Sequence, residues 1–206
     1  MYRWRVTEIS DIILVLVDSR CPILHYPPSL HHYLADRKVI LVLTKVDIAG
    51  PERTDAWTSH FSKQYPSLRI VQVKSYGERE PGYAQQGRTL FQPHIPATFR
   101  DRLVDAIKAA HSELLQPPEE VKSDPKRMQH WKSTVKREID WETVRSASDA
   151  KAGSTVGGAL APMPEEHRGE DGTSEAEPSF LTVGVIGERI LALLPAFRII
   201  SLTNCN

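Results

Sequence analysis

Two uninterrupted apolar runs near the start of the chain constrain its fold more than any other feature. They are IILVLV at residues 12–17 and VILVL at residues 39–43, and both are rich in β-branched side chains. Strands without a polar face are buried on both sides, which is typical of parallel strands covered by helices. A third run, LRIVQV, follows at residues 68–73. The sequence therefore predicts three strands of a parallel sheet.

The segments between these runs have the length and pattern of crossover helices. Residues 28–34 are long enough for a short helix, and residues 51–65 begin with Pro51, which suits the first turn of a helix. In the second segment Trp57 and Phe61 are one turn apart, so they lie on one helix face. Repeated strand–helix–strand units predict an α/β fold with right-handed crossovers.

Beyond these units the pattern changes. Residues 97–115 carry apolar side chains at helical spacing, which predicts a long amphipathic helix. Residues 145–179 contain no aromatic side chain, few large aliphatic ones, and seven acidic residues against three Lys and Arg. They cannot bury enough apolar surface to become ordered and are interpreted as a disordered acidic linker. A last strand candidate, FLTVGVIG, lies at residues 180–187. The apolar tail at residues 188–206 has no clear helical or alternating period.

Composition excludes several classes of protein. The 206 residues suffice for one α/β domain, and 26 Lys and Arg residues balance 26 Asp and Glu residues. A neutral chain does not favour DNA or an anionic membrane as a partner. The longest apolar run is far shorter than the ~20 residues of a membrane-spanning helix, and no signal region is present. Because only Cys21 and Cys205 occur, no disulfide framework is expected, and the sequence predicts an intracellular protein.

The tetrapeptide TKVD at residues 44–47 carries the strongest chemical signal and directly follows a predicted buried strand. An aspartate there, Asp47, can accept hydrogen bonds from the N1–H and 2-amino groups of guanine. Adenine lacks these donors, so an unpaired carboxylate disfavours ATP. The stem of Lys45 can lie along the base or ribose. The structural alternative is a strand end followed by a turn that the aspartate caps.

In their order along the chain, these segments resemble the circularly permuted GTPases of the MMR/HSR type, most closely the guanine nucleotide-binding protein-like group in its fungal form. The resemblance is carried by WRVTEISDIILV at residues 4–15, DSRCP at 18–22, YPPSL at 26–30 and TKVD at 44–47. It covers residues 3–141 and resumes at 181–187. TKVD then corresponds to the base-reading [N/T]-K-x-D element and DSRCP to a D-x-R-x-P element. For DSRCP a structural role is favoured, in which Asp18 and Arg20 pair or cap the next helix.

The resemblance implies a partial P-loop GTPase (Ras-like) fold in circularly permuted order, with the base-reading elements before the phosphate-binding loop. The expected sheet is parallel, has about four strands with flanking helices, and is incomplete. Its last strand lies beside the first and lacks its other neighbour, so an edge is exposed unless the apolar tail covers it. The implied guanine-binding residues are Thr44, Lys45, Asp47 and, after the third strand, Ser75. The implied cofactors are GTP or GDP and Mg²⁺.

The phosphate-binding loop is the part of the family pattern that is missing. By resemblance Gly187 is the first glycine of G-x-x-x-x-G-K-[S/T] and the phosphate-binding residue, but the later positions hold Ala192, Leu193 and Leu194. The backbone then cannot wrap the phosphates, and the lysine and hydroxyl that bind phosphate and Mg²⁺ are absent. We therefore expect no catalytic residue, no metal ligand, and defective GTP binding and hydrolysis. Whether the chain is an enzyme stays open.

The predicted organisation has four segments. Residues 1–141 form the guanine-reading half of a permuted G domain, and residues 142–180 form the acidic linker. Residues 181–187 are the first strand of the phosphate-loop half, and residues 188–206 are an apolar tail outside the family pattern, which is truncated at this point.

The resemblance implies a GTP-binding protein of the ribosome-biogenesis type in the nucleus, nucleolus or cytoplasm. Its implied partners are a guanine nucleotide and the pre-ribosome or ribosomal RNA. One alternative is a nucleotide-independent module that contacts RNA through Trp131 and the basic side chains of residues 126–137, for which a solvated helix face is the simpler interpretation. Another is a non-functional truncated product.

Overall fold

The computed structural model describes residues 3–74, 96–146, 181–187 and 198–201. The strands of the described residues belong to one sheet and are β1 (Ile12–Asp18), β2 (Lys38–Thr44), β3 (Arg69–Gln72), β4 (Thr182–Gly187) and β5 (Arg198–Ser201). The helices of the described residues are α1 (Arg3–Ile9), α2 (Pro22–His25), α3 (Pro28–Tyr33), α4 (Val46–Ala49), α5 (Pro51–Gln64), α6 (Ala97–Leu114), α7 (Glu119–Lys122), α8 (Pro125–His130) and α9 (Trp141–Ser146). This order confirms the predicted α/β class.

The sheet is parallel throughout, and its strands lie in the order β3-β2-β1-β4-β5. β1 lies at the centre and all of its residues are buried, as its uninterrupted apolar sequence predicts. Its register pairs Asp18 with Thr44 on β2 and Leu16 with Gly187 on β4. The late strand β4 thus lies beside the early strand β1, as the permuted order implies. An open parallel sheet flanked by helices is consistent with a partial P-loop GTPase fold.

Helices cover both faces of the sheet, because alternate β1 side chains point in opposite directions. On one face Ile12, Leu14 and Leu16 pack in a cluster that includes Leu103 and Ile107 of α6. On the other face the cluster around β1 is completed by side chains of the crossover helices and the adjacent loop. These are Tyr26, Leu34 and Phe61. Among the described residues, no helix combines the length and the apolar character needed to cross a bilayer.

The tail supplies a strand that the sequence did not indicate. β5 pairs in parallel with β4, from Arg198 opposite Thr182 to Ser201 opposite Val185. The four predicted strands are all present, and this fifth one covers the edge of β4 that otherwise lacks a neighbour. Four residues are too few to show an alternating pattern, which is why the tail sequence gave no strand signal.

Helices α1 and α9 are among those that the sequence did not predict. α1 precedes β1 and packs closely on β4, since a side chain at Gly184 would collide with Val6 and Ser10. α9 runs to Ser146, so it includes the first residues of the segment 142–180 that was predicted to be a linker. The reason for this correction is that Val144 is buried in the same cluster as Leu103 and Ile107 of α6. The rest of the predicted linker, residues 147–180, lies outside the described residues.

Candidate functional site

The carboxyl ends of β1, β2 and β4 meet at one edge of the sheet. Asp18 ends β1, Thr44 ends β2 and Gly187 ends β4. The chain adds β2 and then β3 on one side of β1, but β4 and then β5 on the other side. In open parallel sheets ligands bind beyond the carboxyl ends of the strands, at the point where the strand order reverses. This rule places the candidate site at the ends of β1 and its two neighbours.

Thr44 fixes the ends of β1 and β2 to each other. Its side chain is buried, and its Oγ1 donates a hydrogen bond to the carbonyl of Val17 at 3.1 Å. Its own carbonyl accepts from the Ser19 backbone N–H at 3.0 Å, which extends the strand pairing by one residue. The predicted guanine-binding threonine therefore lies at the site with its hydroxyl engaged in this anchor.

Lys45 leaves β2 in an unusual conformation. Its φ of 56° and ψ of 34° are left-handed, and among the described residues it alone combines a positive φ with a side chain. Its Nζ reaches across to β1 and donates to Oδ2 of Asp18 at 3.0 Å. The first turn after β2 is therefore held by both a backbone constraint and an ion pair.

Asp47 lies in the short helix α4, directly after Lys45. Its side chain is exposed and has no hydrogen bond or ion pair to any other described residue. The neighbouring Ile48 is 58% exposed, so an apolar surface adjoins the carboxylate. A free carboxylate beside exposed apolar surface suits a flat heterocycle that offers two donors on one edge.

Asp18 is the most heavily bonded group at this edge. The Arg20 side chain donates to it from Nε at 3.0 Å and from Nη2 at 2.6 Å, and the Arg20 backbone N–H donates at 2.9 Å. The predicted pairing of Asp18 with Arg20 is thus confirmed. Together with Lys45, the Arg20 guanidinium holds the pKa of the Asp18 carboxyl far below its usual range, although burial opposes this shift.

Gly187 closes the site on the β4 side. Its φ of +117° is disfavoured for any residue with a side chain, and a Cβ there would collide with the backbone carbonyl of Leu16. The residue type at this position is therefore dictated by a close approach of two backbones. Ser75 and the positions 192–194 lie outside the described residues, so their predicted roles stay predictions.

The contact between Asp18 and Lys45 was missed in the sequence, although a signal for it exists. Both residues follow buried runs that were predicted to be parallel neighbours, and parallel strands in register end at the same edge. Ser19, next to Asp18, was also missed; its hydroxyl is fully buried and has no hydrogen-bond partner in the described part of the chain.

Two cavities lie elsewhere on the described surface. A cavity of about 410 Å³ lies between α2 and α5, lined by Tyr26, Phe61 and Tyr65. A smaller one, about 170 Å³, lies at the amino ends of β2 and β3 beside Lys38. Neither includes a residue of the TKVD element. Within the described ranges no group of three His, Cys, Asp or Glu side chains could hold a metal ion.

Comparison with known proteins gives partial matches to proteins named as guanine nucleotide-binding proteins and as a GTPase. Over 87 residues, 38% of the chain, the sequence is 40% identical to guanine nucleotide-binding protein-like 1 of Rattus norvegicus. It is 41% identical over 81 residues to the Homo sapiens protein of the same name. A longer match covers 85% of the chain and is 24% identical to the large subunit GTPase 1 homolog of Rattus norvegicus. No protein-family model matches the chain.

These relatives are much longer than the region they share with the chain. The matched regions span 14% and 13% of the two guanine nucleotide-binding proteins and 28% of the large subunit GTPase homologue. The partial similarities support a relationship with the circularly permuted GTPases and hence with proteins that bind guanine nucleotides.

Proposed function

We propose that this chain is the guanine-reading half of a circularly permuted GTPase, that it binds guanine nucleotides only weakly and through the base alone, and that it is defective in GTP hydrolysis. One observation carries the proposal: the carboxylate of Asp47, which is exposed and makes no bond to another described residue, stands just beyond the carboxyl end of β2. That edge is where open parallel sheets bind their ligands. The names of the partial relatives, a guanine nucleotide-binding protein and a GTPase, support the same ligand class.

The selectivity follows from the donors on each base. The two oxygens of Asp47 can accept from N1–H and from the 2-amino group of guanine, whereas adenine presents neither donor at that edge. Binding adenine would therefore leave a desolvated carboxylate without partners, which costs about 1–3 kcal/mol or more for a charged group. Ile48 adds apolar surface beside the base.

The phosphate half of the ligand is not matched by the residues of this chain. Ala192, Leu193 and Leu194 offer neither the ammonium nor the hydroxyl that a phosphate loop needs. Charge-assisted bonds to phosphate are the strong ones. Their loss implies weak binding by the base alone and no phosphoryl transfer.

The experiment is a base-exchange test on Asp47→Asn. The asparagine amide accepts from N1–H but donates at the second position, which matches xanthine, where an oxygen replaces the 2-amino group. Titration of the ¹⁵N-labelled full chain with GMP, XMP and AMP should show that the wild type prefers GMP and the variant prefers XMP. The amide signals of Ile48 and Gly50 report binding even at millimolar affinity.

The matched control is Asp36→Asn, which neutralises another exposed aspartate without touching the TKVD element. It should leave the preference for GMP unchanged. A wild-type chain that shows no shift with GMP, or an Asp47→Asn variant with the preference of the wild type, would contradict the proposal.

A second candidate is RNA binding through the basic segment that follows α7. All five Lys and Arg side chains of this segment are exposed, and it is anchored by buried Ser133 and Val135. The five are Lys126, Arg127, Lys132, Lys136 and Arg137. Fluorescence anisotropy with a labelled single-stranded RNA should then show affinity that falls steeply with salt and with replacement of these side chains by Gln. Salt-insensitive binding would exclude this candidate.

A further inference from the structure

Two elements that lie far apart in the sequence share one carboxylate at the candidate site. The Asp18 side chain is only 5% exposed, yet it accepts bonds from both Lys45 and Arg20. Lys45 belongs to the base-reading element and Arg20 to the loop after β1. The cluster therefore connects the end of β1 with the turn that carries Asp47.

We propose that Asp18 is a positioning residue for the nucleotide site, which acts through Lys45 to fix the start of α4 and so to place the Asp47 carboxylate. The inference rests on the proposed function, because it assigns a role in guanine recognition. Its structural part, the fixing of α4, stands on contacts of its own and can be tested without nucleotide.

The first argument is the conformation of Lys45. A left-handed φ is disfavoured for a residue with a Cβ, and such conformations persist where the surrounding structure determines them. Lys45 is bounded on one side by Thr44, which is buried and bonded to β1. On the other side the ion pair with Asp18 holds the end of the Lys45 side chain. Asp18 therefore stabilises the backbone geometry from which α4 starts.

The second argument is the dependence of α4 on Lys45. A helix of four residues has little stability of its own, because nucleation is costly. The carbonyl of Lys45 accepts hydrogen bonds from Ile48 at 3.0 Å and from Ala49 at 3.1 Å, and these bonds enclose Asp47. No side chain caps the start of α4. A shift of Lys45 therefore shifts the turn that carries the base-reading carboxylate.

The third argument is the contrast between the two carboxylates near Lys45, of which Asp18 pairs with its ammonium. Asp47 is in the same turn but is exposed and makes no ion pair to a described residue. The two carboxylates thus have separate tasks: Asp18 binds the lysine, and Asp47 stays available for ligand. In Asp18→Asn the ammonium of Lys45 and the guanidinium of Arg20 would face a neutral amide and each other.

The test is a double-mutant cycle on the full chain, with Asp18→Asn, Lys45→Met and the double variant. Methionine keeps an apolar stem but removes the ammonium. Amide hydrogen exchange at Ile48, Ala49 and Gly50, measured by NMR without nucleotide, reports the order of α4. Each single variant should speed exchange about tenfold, and the double variant should exchange no faster than Lys45→Met, since the two residues act as one unit. Additive effects, or unchanged exchange in Asp18→Asn, would contradict the proposal that Asp18 fixes α4 through Lys45.

Titration with GMP then tests the functional part. Asp18→Asn should weaken GMP binding about tenfold in the wild-type background and less than twofold in the Lys45→Met background. Faster exchange with unchanged GMP affinity would show a merely structural role and refute the assignment. If the wild-type chain does not bind GMP, both the proposed function and the positioning role are refuted. The exchange data still decide whether Asp18 fixes α4 through Lys45.

The matched control is Glu113→Gln. It also removes a carboxylate that pairs with one lysine and one arginine, in this case Lys38 and Arg69, at the amino ends of their strands. It should alter neither the exchange of the α4 amides nor the affinity for GMP. A change as large as that in Asp18→Asn would mean that the readouts follow global stability, and the proposal would fail.

Discussion

At the scale of single residues, the charges at the sheet edge determine how stability responds to pH. Asp18 accepts bonds from two cations, and its pKa lies far below the ordinary value, with Arg20 as the main cause. In the unfolded chain the same carboxyl has a pKa of about 3.9. A lowered pKa stabilises the folded state above the unfolded pKa, and this contribution is lost as the pH falls.

The prediction is a pH-dependent difference between the wild type and Asp18→Asn. Above about pH 5 the difference in free energy of unfolding should be constant, because the carboxyl is ionised in both states. Below about pH 4 the difference should shrink progressively, since only the unfolded carboxyl of the wild type takes up a proton. Urea denaturation at several pH values measures it. A difference that grows on acidification would contradict the assignment.

Gly187 gives a second prediction at this scale. Gly187→Ala adds a Cβ against the Leu16 carbonyl at a positive φ, whereas Gly50→Ala, also at a positive φ of +84°, meets no atom within 4 Å. Gly50→Ala should cost about 1–2 kcal/mol for the conformation alone. Gly187→Ala should cost clearly more, because β4 must move away from β1. Denaturant unfolding of both variants measures the two costs, and equal values would mean that the strands accommodate the methyl group.

At the scale of secondary-structure elements, we expect the buried face of α6 to contribute more to the free energy of unfolding than its exposed face. Ile107 is fully buried in the main cluster, so Ile107→Ala should reduce the free energy of unfolding by about 2–5 kcal/mol. Burial raises the pKa of Glu113, but the bonds from Lys38 and Arg69 outweigh this effect and lower it. The pair is well exposed, so Glu113→Gln should cost less than about 1 kcal/mol. Thermal unfolding of the two variants measures both losses of stability. A larger loss in Glu113→Gln than in Ile107→Ala would contradict the packing described.

The elements that could be predicted from the sequence are those with a long, regular pattern. Residues 12–17 and 39–43 indicated β1 and β2, and the helical stripe indicated α6 almost to its last residue, Leu114. α1 and β5 could not be predicted, since each is short and depends on packing or pairing with β4.

The candidate site was predictable in part for the same physical reason. TKVD is contiguous, so its chemistry can be recognised without knowing the fold. The bond between Lys45 and Asp18 spans 27 positions of sequence and depends on the register of β1 against β2. Sequence patterns can indicate that two strands are neighbours, but a contact between two particular residues at the strand ends also depends on the register.

At the scale of the whole molecule, the stability of the sheet depends on its two edges. β3 forms one edge and β5 the other, with β4 between β5 and the central strand. An edge strand presents unpaired N–H and C=O groups that can pair with another chain. The apolar tail that carries β5 therefore protects β4, whose Val183 and Val185 are part of the main core.

The corresponding prediction concerns a chain that ends at Gly187. Removal of residues 188–206 deletes β5 and leaves the backbone of β4 without its partner from Thr182 to Val185. Lower stability to urea and self-association through the new edge are expected, and the latter should appear as oligomers in sedimentation velocity that grow with concentration. A chain shortened only by residues 202–206 keeps β5 and serves as the matched control. If the longer deletion were monomeric and as stable as this control, the pairing of β5 with β4 would contribute nothing to the sheet, and protection of β4 would have to come from another part of the chain.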